Sequence, residues 1–152
     1  MERLRHPRAA IERTAALVRH APYALKAYPD DASLRLALSP VGRMLIEDVL
    51  ALGEAEARAS GDAALQATAR ETALRTETVL EAKPPLTIGE LALDGKAVMA
   101  VLGAGQGPRV GEALRYLLGE VLLEPGANAA ARLEELLVKW RDGQGGAAKP
   151  VK

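Results

Sequence analysis

A chain of 152 residues with twenty acidic and twenty basic side chains, and an apolar content near one half, has room for one domain or two small ones and for a packed interior. The absence of Cys excludes disulfides, thiolate metal sites and Cys nucleophiles, and it fits a reducing compartment, with the cytoplasm as the expected location. No apolar run approaches the roughly twenty residues of a membrane-spanning helix, and the start MERLRHPRAA lacks the apolar core of a secretory signal.

Phe is absent and the aromatics are Trp140, Tyr23, Tyr28 and Tyr116, so the core must be aliphatic and Ala-rich, which points to an all-α fold. Charge is uneven along the chain. Residues 1–43 carry eight basic against four acidic side chains, residues 44–83 four against eight, and residues 84–152 eight of each. Nucleic-acid binding on such a neutral body would rest on local patches and be salt-sensitive, while a mixed solvated surface accounts for the same charges.

Pro7 suits a first helical turn, and Ile11, Ala15 and Val18 fall on one face of a helix of about three turns that ends near His20, with Pro22 stopping it. Residues 23–31, containing Pro29, read as a loop or broken helix, and residues 33–38 as a short apolar helix stopped by Ser39 and Pro40. Pro40 also suits the first turn of a long helix in which Leu45, Val49 and Leu52 keep the helical period up to Ser60. Gly61 can take the left-handed cap and Asp62 can cap a second long helix, whose face is Leu65, Ala69, Thr72, Thr76, Val79 and Leu80. So tight a connection predicts two antiparallel neighbours.

After Lys83-Pro84-Pro85 the texture changes to short helices and many glycines, which sets an expected border between residues 1–83 and 84–142, with a flexible tail over 143–152. Thr87-Ile-Gly-Glu90 has capping-box spacing and predicts a short helix, and Asp94 can cap the next. Residues 103–107 read as a loop. Pro108 opens a helix with the stripe Val110, Leu114, Leu117, Leu118, Val121 and Leu122, Pro125-Gly126 breaks it, and Asn128 caps a last helix that buries Leu133, Leu136, Leu137 and Trp140. The total is an irregular bundle of about seven helices.

Catalytic constellations are scarce. His6 and His20 lie fourteen residues apart without metal-ligand spacing or a nearby acid pair, and read as surface or helix-end residues. Glu47, Asp48, Glu54 and Glu56 lie on one helix but diverge around it, as a solvated face does. Gly103-Ala-Gly105-Gln-Gly107 has neither the preceding strand nor the following acid of a dinucleotide loop. No catalytic residue and no metal ligand is assigned. What stands out is the pair of helix starts Asp94-Gly95-Lys96 and Gly107-Pro108-Arg109, where unpaired amides, the positive end of the helix dipole and a cation can hold phosphates.

The run Leu93-Asp94-Gly95-Lys96-x-Val98-Met99-x-x-Leu102-Gly103, then Gly107-Pro108-Arg109-Val110-Gly111-x-x-Leu114-x-x-Leu117-Leu118-x-x-Val121-Leu122 and Asn128, resembles the C-terminal region of bacterial tRNA nucleotidyltransferases, the CCA-adding enzymes and their poly(A) polymerase relatives. Residues 11–20, Leu34-Arg35-x-x-Leu38 and residues 42–57 are similar to the helical region that follows the neck in that family. The resemblance spans residues 8 to about 141 and is strongest over 86–128; the loop Gly103-Ala-Gly105-Gln106 departs from it by being longer or looser. Family members catalyse with an N-terminal head that holds a Gly-rich nucleotide loop and paired metal-binding aspartates, and no stretch here matches either.

The resemblance therefore implies a body-like region over 1–83 and a tail-like RNA-binding region over 84–142, which hold the tRNA acceptor arm for a head absent from the chain. Its implied RNA-binding residues are Lys96, Gly107, Arg109, Gly111 and Arg115. No cofactor is expected in this chain, since Mg and nucleoside triphosphates belong to the head. The implied partners are tRNA and, if the chain is a split gene product rather than an excised domain, a separate catalytic nucleotidyltransferase subunit, with no membrane. A non-catalytic structural or protein-interaction module, in which Gly111 and Gly119 serve close helix packing, stays open beside this reading.

Overall fold

The structure, a computed structural model, describes residues 7–143; His6 and the rest of the expected tail, residues 144–152, lie outside the described residues. Among the described residues seven α-helices follow one another: α1 (Arg8–His20), α2 (Asp31–Leu38), α3 (Arg43–Ser60), α4 (Ala63–Glu81), α5 (Gly95–Leu102), α6 (Pro108–Leu123) and α7 (Ala130–Asp142). Short 3-10 turns occupy Ala21–Leu25, Ile88–Glu90 and Pro125–Ala127, and no strand occurs among the described residues, so the all-α expectation holds. The chain divides between Ala82 and Lys83 into two compact units.

In the first unit α3 and α4 form a hairpin whose two-residue link follows local chemistry. Gly61 takes the left-handed conformation at φ 72°, and the Asp62 carboxylate accepts from the Ala64 and Leu65 amides at 2.8 and 3.2 Å. α4 buries Ala69, Thr72, Thr76 and Val79. Its two buried hydroxyls are satisfied: Thr72 donates to the Lys26 carbonyl at 2.8 Å and Thr76 to the Thr72 carbonyl at 2.7 Å. Arg75 donates to the Tyr28 carbonyl and pairs with Asp31 at 2.8 Å, so α4 holds the segment that leads into α2. Asp30 caps α2 by accepting from the Ser33 amide at 2.7 Å; that bond, and then the Ser33 hydroxyl, keep its carboxyl below the usual carboxylate range.

One expectation for this unit is corrected, and the structure adds which faces are buried. Pro40 is not in the first turn of the long helix: the Leu38 carbonyl accepts from both Val41 and Gly42, at 3.0 and 3.2 Å, so Pro40 belongs to the turn that closes α2, and Gly42 at φ 76° redirects the chain into α3. The buried face of α3 is Ile46, Val49, Gly53 and Ala57, leaving Leu52 exposed and Leu45 half-buried, because Gly53 and Ala57 allow neighbours closer than leucines would. The stripe Ile11, Ala15, Val18 exists on α1, yet α1 buries no residue, and Ile11 and Val18 are 57% and 66% exposed. α1 meets α3 through an ion pair between Arg13 and Asp48.

The second unit is built on Val98 and Leu102 of α5, Ala113, Leu117 and Val121 of α6, and Leu133 and Leu137 of α7, all buried in one cluster. Leu114 and Leu118, assigned to the apolar stripe of α6, are half-buried, and Ala113 lies at its centre instead. Trp140 is half-buried and stacks on Tyr116, with ring centroids 6.3 Å apart. Burial first, then the nearby Glu120, raises the Tyr116 phenol above its ordinary pKa. The helix expected at Thr87 is a single 3-10 turn, in which one Glu90 carboxylate oxygen accepts from the Leu86 amide, the Thr87 amide and the Thr87 hydroxyl at 2.9 Å each. Asn128 does not cap α7. Ala129 holds the cap position without a side-chain bond, and the Asn128 carboxamide accepts from the Ala92 amide at 2.8 Å and donates to the Glu90 carbonyl at 3.0 Å. A side chain that satisfies two backbone groups of a strandless connection is worth more there than at a solvated helix end.

Candidate nucleic-acid interface

The two helix starts differ in what already occupies them. At α5 the Asp94 carboxylate accepts from the Ala97 amide at 2.8 Å, so one of the free amides of the first turn is taken and a negative charge sits at the positive end of the dipole. Lys96 is exposed on this turn. α5 ends at Gly103, left-handed at φ 60°, whose amide and that of Ala104 return to the Ala100 and Met99 carbonyls.

At α6 no side chain caps the helix. Gly107 is extended at φ 172°, a conformation open to any residue, so its value lies in space rather than in backbone freedom: nothing stands within 4 Å of where a β-carbon would be. Pro108 at the first helical position has no amide to leave unpaired. Arg109 is exposed beside it, while Val110 is buried and anchors the turn to the core. The Arg115 guanidinium leans back along α6, with Nη1 3.4 Å from the β-carbon position of Gly111, as long helical side chains point toward the N-terminus.

Gly107, Arg109, Gly111 and Arg115 thus share the first turns of α6, and Lys96 belongs to a separate helix start on α5, which packs against α6. Among the described residues none of Lys96, Arg109 and Arg115 takes part in an ion pair, so their charge is available to an external anion. Gly119, read as a close-packing glycine in the module alternative, has no atom within 4 Å of its β-carbon position.

Two residues that position this region were not singled out for it. Arg141 of α7 donates to the Val101 carbonyl in the last turn of α5 at 3.0 Å, and Asn128 holds the Glu90 and Ala92 backbone just ahead of Asp94. Together they tie down both ends of α5. A cation on the last turn of α7 was visible in the sequence, but its partner 40 residues away was not.

In the first unit His20 ends α1, stacks on Tyr23 with centroids 5.6 Å apart, and has a buried Nδ1 without a hydrogen-bond partner among the described residues. Lys26 stands over the same Tyr23 ring at 5.8 Å. Asp48 and Glu54 on α3 are engaged by Arg13 and Arg58. No group of three or more His, Cys, Asp or Glu that could hold a metal ion occurs among the described residues. No helix among them is long and apolar enough to cross a membrane.

Comparison with known proteins adds one relationship. The chain is 39% identical over 134 residues to an A-adding tRNA nucleotidyltransferase of Deinococcus radiodurans, with 80% of this chain and 29% of the relative covered. No protein-family model and no solved structure matches it. The chain therefore spans somewhat less than a third of the length of this curated relative and shares partial homology with it.

Proposed function

We propose that this chain is the tRNA-binding part of a tRNA nucleotidyltransferase, acting in the cytoplasm to position the acceptor arm for a catalytic head that these residues do not contain. The observation that carries the reading is the 39% identity over 134 residues to an A-adding tRNA nucleotidyltransferase. The open, uncapped start of α6 supports it as the principal phosphate contact, with Arg109 supplying charge, the bare backbone at Gly107 giving access, and Arg115 carrying its guanidinium over Gly111. Lys96 at the start of α5 adds a second contact, weakened by the Asp94 carboxylate beside it.

In this reading the chain recognises the A-form backbone by shape and charge rather than by base sequence. Mg and nucleoside triphosphates act in the head, and the work of these residues is to bind and orient the RNA. A non-catalytic interaction module is the second reading, favoured by the Asp94 carboxylate that already satisfies an α5 amide.

The experiment is a titration of tRNA binding against salt for the unmodified chain and for the Lys96→Ala, Arg109→Ala double variant. Each lost phosphate contact is expected to reduce the salt slope of log K by about one. No binding at low salt, or equal binding by the double variant, overturns the reading.

A further inference from the structure

α1 contacts its unit through one side and carries its apolar stripe on the other. At about 100° per residue, Ile11, Ala15 and Val18 fall within roughly 60° of arc, while Arg13, which reaches Asp48 on α3, lies on nearly the opposite side. With Ala10, Thr14 and Arg19 the stripe forms one continuous face of α1. An amphipathic helix normally turns its apolar face to its own core, so a stripe turned outward calls for a cover.

We propose that this face pairs with a second copy of the chain, α1 against α1, antiparallel about a two-fold axis near Ala15. The flanking charges select this occupant and this direction. Around the helix, Arg8, Glu12 and Arg19 follow one another along one flank of the stripe, and Ala10 and Thr14 along the other. An antiparallel two-fold axis brings like flank to like flank with the order reversed, so Ile11 stands within one residue, about 1.5 Å, of Val18 of the second copy and Glu12 within the same offset of Arg19 of the second copy, each contact made twice. Ala10 and Thr14 keep the opposite flank low enough for the helices to approach. A parallel pair would instead bring this charged flank against Ala10 and Thr14 of the second copy, so Glu12 and Arg19 would find no opposite charge across the interface.

Glu12 is held in the single chain by Arg8 at 2.8 Å, an exposed i,i+4 pair worth little, so exchanging it for Arg19 of the second copy costs little. One helix from each side is a small interface, and the association is weak and concentration-dependent, in the micromolar range or above. It stands independently of tRNA binding.

Sedimentation equilibrium of the full chain at low salt, from about 5 to about 500 μM, reads the association directly. Ile11→Asp with Val18→Asp is expected to weaken it at least about tenfold, with helicity by circular dichroism unchanged because both side chains point away from the unit. Glu12→Arg and Arg19→Glu are each expected to weaken it, and the two together in one chain to restore it. A chain that stays monomeric throughout overturns the proposal, including the case in which the face is reserved for a different polypeptide. So does self-association that ignores the Ile11 and Val18 changes, or a charge exchange that fails to restore it.

Discussion

Gly53 of α3 lies so close to Ala24 of the first 3-10 turn that a β-carbon at position 53 would overlap the Ala24 β-carbon and stand 3.5 Å from its α-carbon. Both residues are buried. Glycine inside a helix is disfavoured by about 1 kcal/mol relative to alanine, and here the close approach of the turn outweighs that loss. Gly53→Ala is expected to destabilise the protein by about 1–3 kcal/mol, since the added methyl must displace backbone rather than a flexible side-chain end. Gly119→Ala, where no atom stands within 4 Å, is expected to stabilise by about 0.5–1 kcal/mol. Urea unfolding followed by circular dichroism checks both, and equal signs for the two variants would remove the close approach from the account.

Asn128 joins two stretches of the second unit through its bonds to Ala92 and Glu90. Asn128→Ala leaves both backbone groups without their partner and is expected to cost about 1–2 kcal/mol. Trp140 is the chain's single tryptophan and packs in this unit, so its fluorescence during denaturation reports the loss there. An unchanged midpoint would show that water replaces the carboxamide at no cost.

The Tyr28 hydroxyl donates to the Tyr23 carbonyl at 2.9 Å, and burial, with Tyr23 adding to it, pushes its phenol up to about 12 from the ordinary 10. Ionisation is then easier in the unfolded chain than in the folded one. The Tyr28 contribution to stability is complete below pH about 10 and is lost as pH rises through about 12. Tyr28→Phe is expected to flatten this decline and to remove a late step from the phenolate absorbance titration. A wild-type titration with no tyrosine ionising later than the ordinary range would contradict the burial of this ring.

The unequal helix starts predict unequal effects on RNA. Arg109→Ala, at the uncapped start of α6, is expected to weaken tRNA binding more than Lys96→Ala, whose helix start already holds a carboxylate. Asp94→Asn keeps an acceptor for the Ala97 amide while removing the negative charge, and is expected to tighten binding severalfold at low salt and to leave it unchanged at high salt. Fluorescence anisotropy with labelled tRNA measures all three, and unchanged binding by Asp94→Asn at low salt would mean that the α5 start receives no phosphate.

Most helix boundaries were legible because their causes are local. Gly61 and Asp62 at the hairpin, Asp94 before α5, Gly103 after it and Pro108 opening α6 act within one or two turns of themselves, and each stands where its chemistry places it. The candidate interface was legible to the same extent: cations and glycines at two helix starts can be read in order along the chain. That one start is filled by Asp94 and the other left open needed the geometry of the Ala97 bond and of the Gly107 surroundings.

What the sequence by itself determined is the all-helical class, the positions of the principal breaks and the residue types offered to an anion, because backbone propensity, capping and periodicity are properties of neighbours in the chain. The tertiary structure decided which of two adjacent apolar registers α3 buries, the capture of Asn128 by the Glu90 and Ala92 backbone instead of the start of α7, and the outward turn of the Ile11, Ala15, Val18 stripe. These outcomes depend on partners 29 to 38 residues away, such as Ala24 for Gly53, Glu90 for Asn128 and Asp48 for Arg13. An amphipathic stripe shows that a helix has an apolar face, but only packing settles whether that face meets its own core or is left for a second molecule.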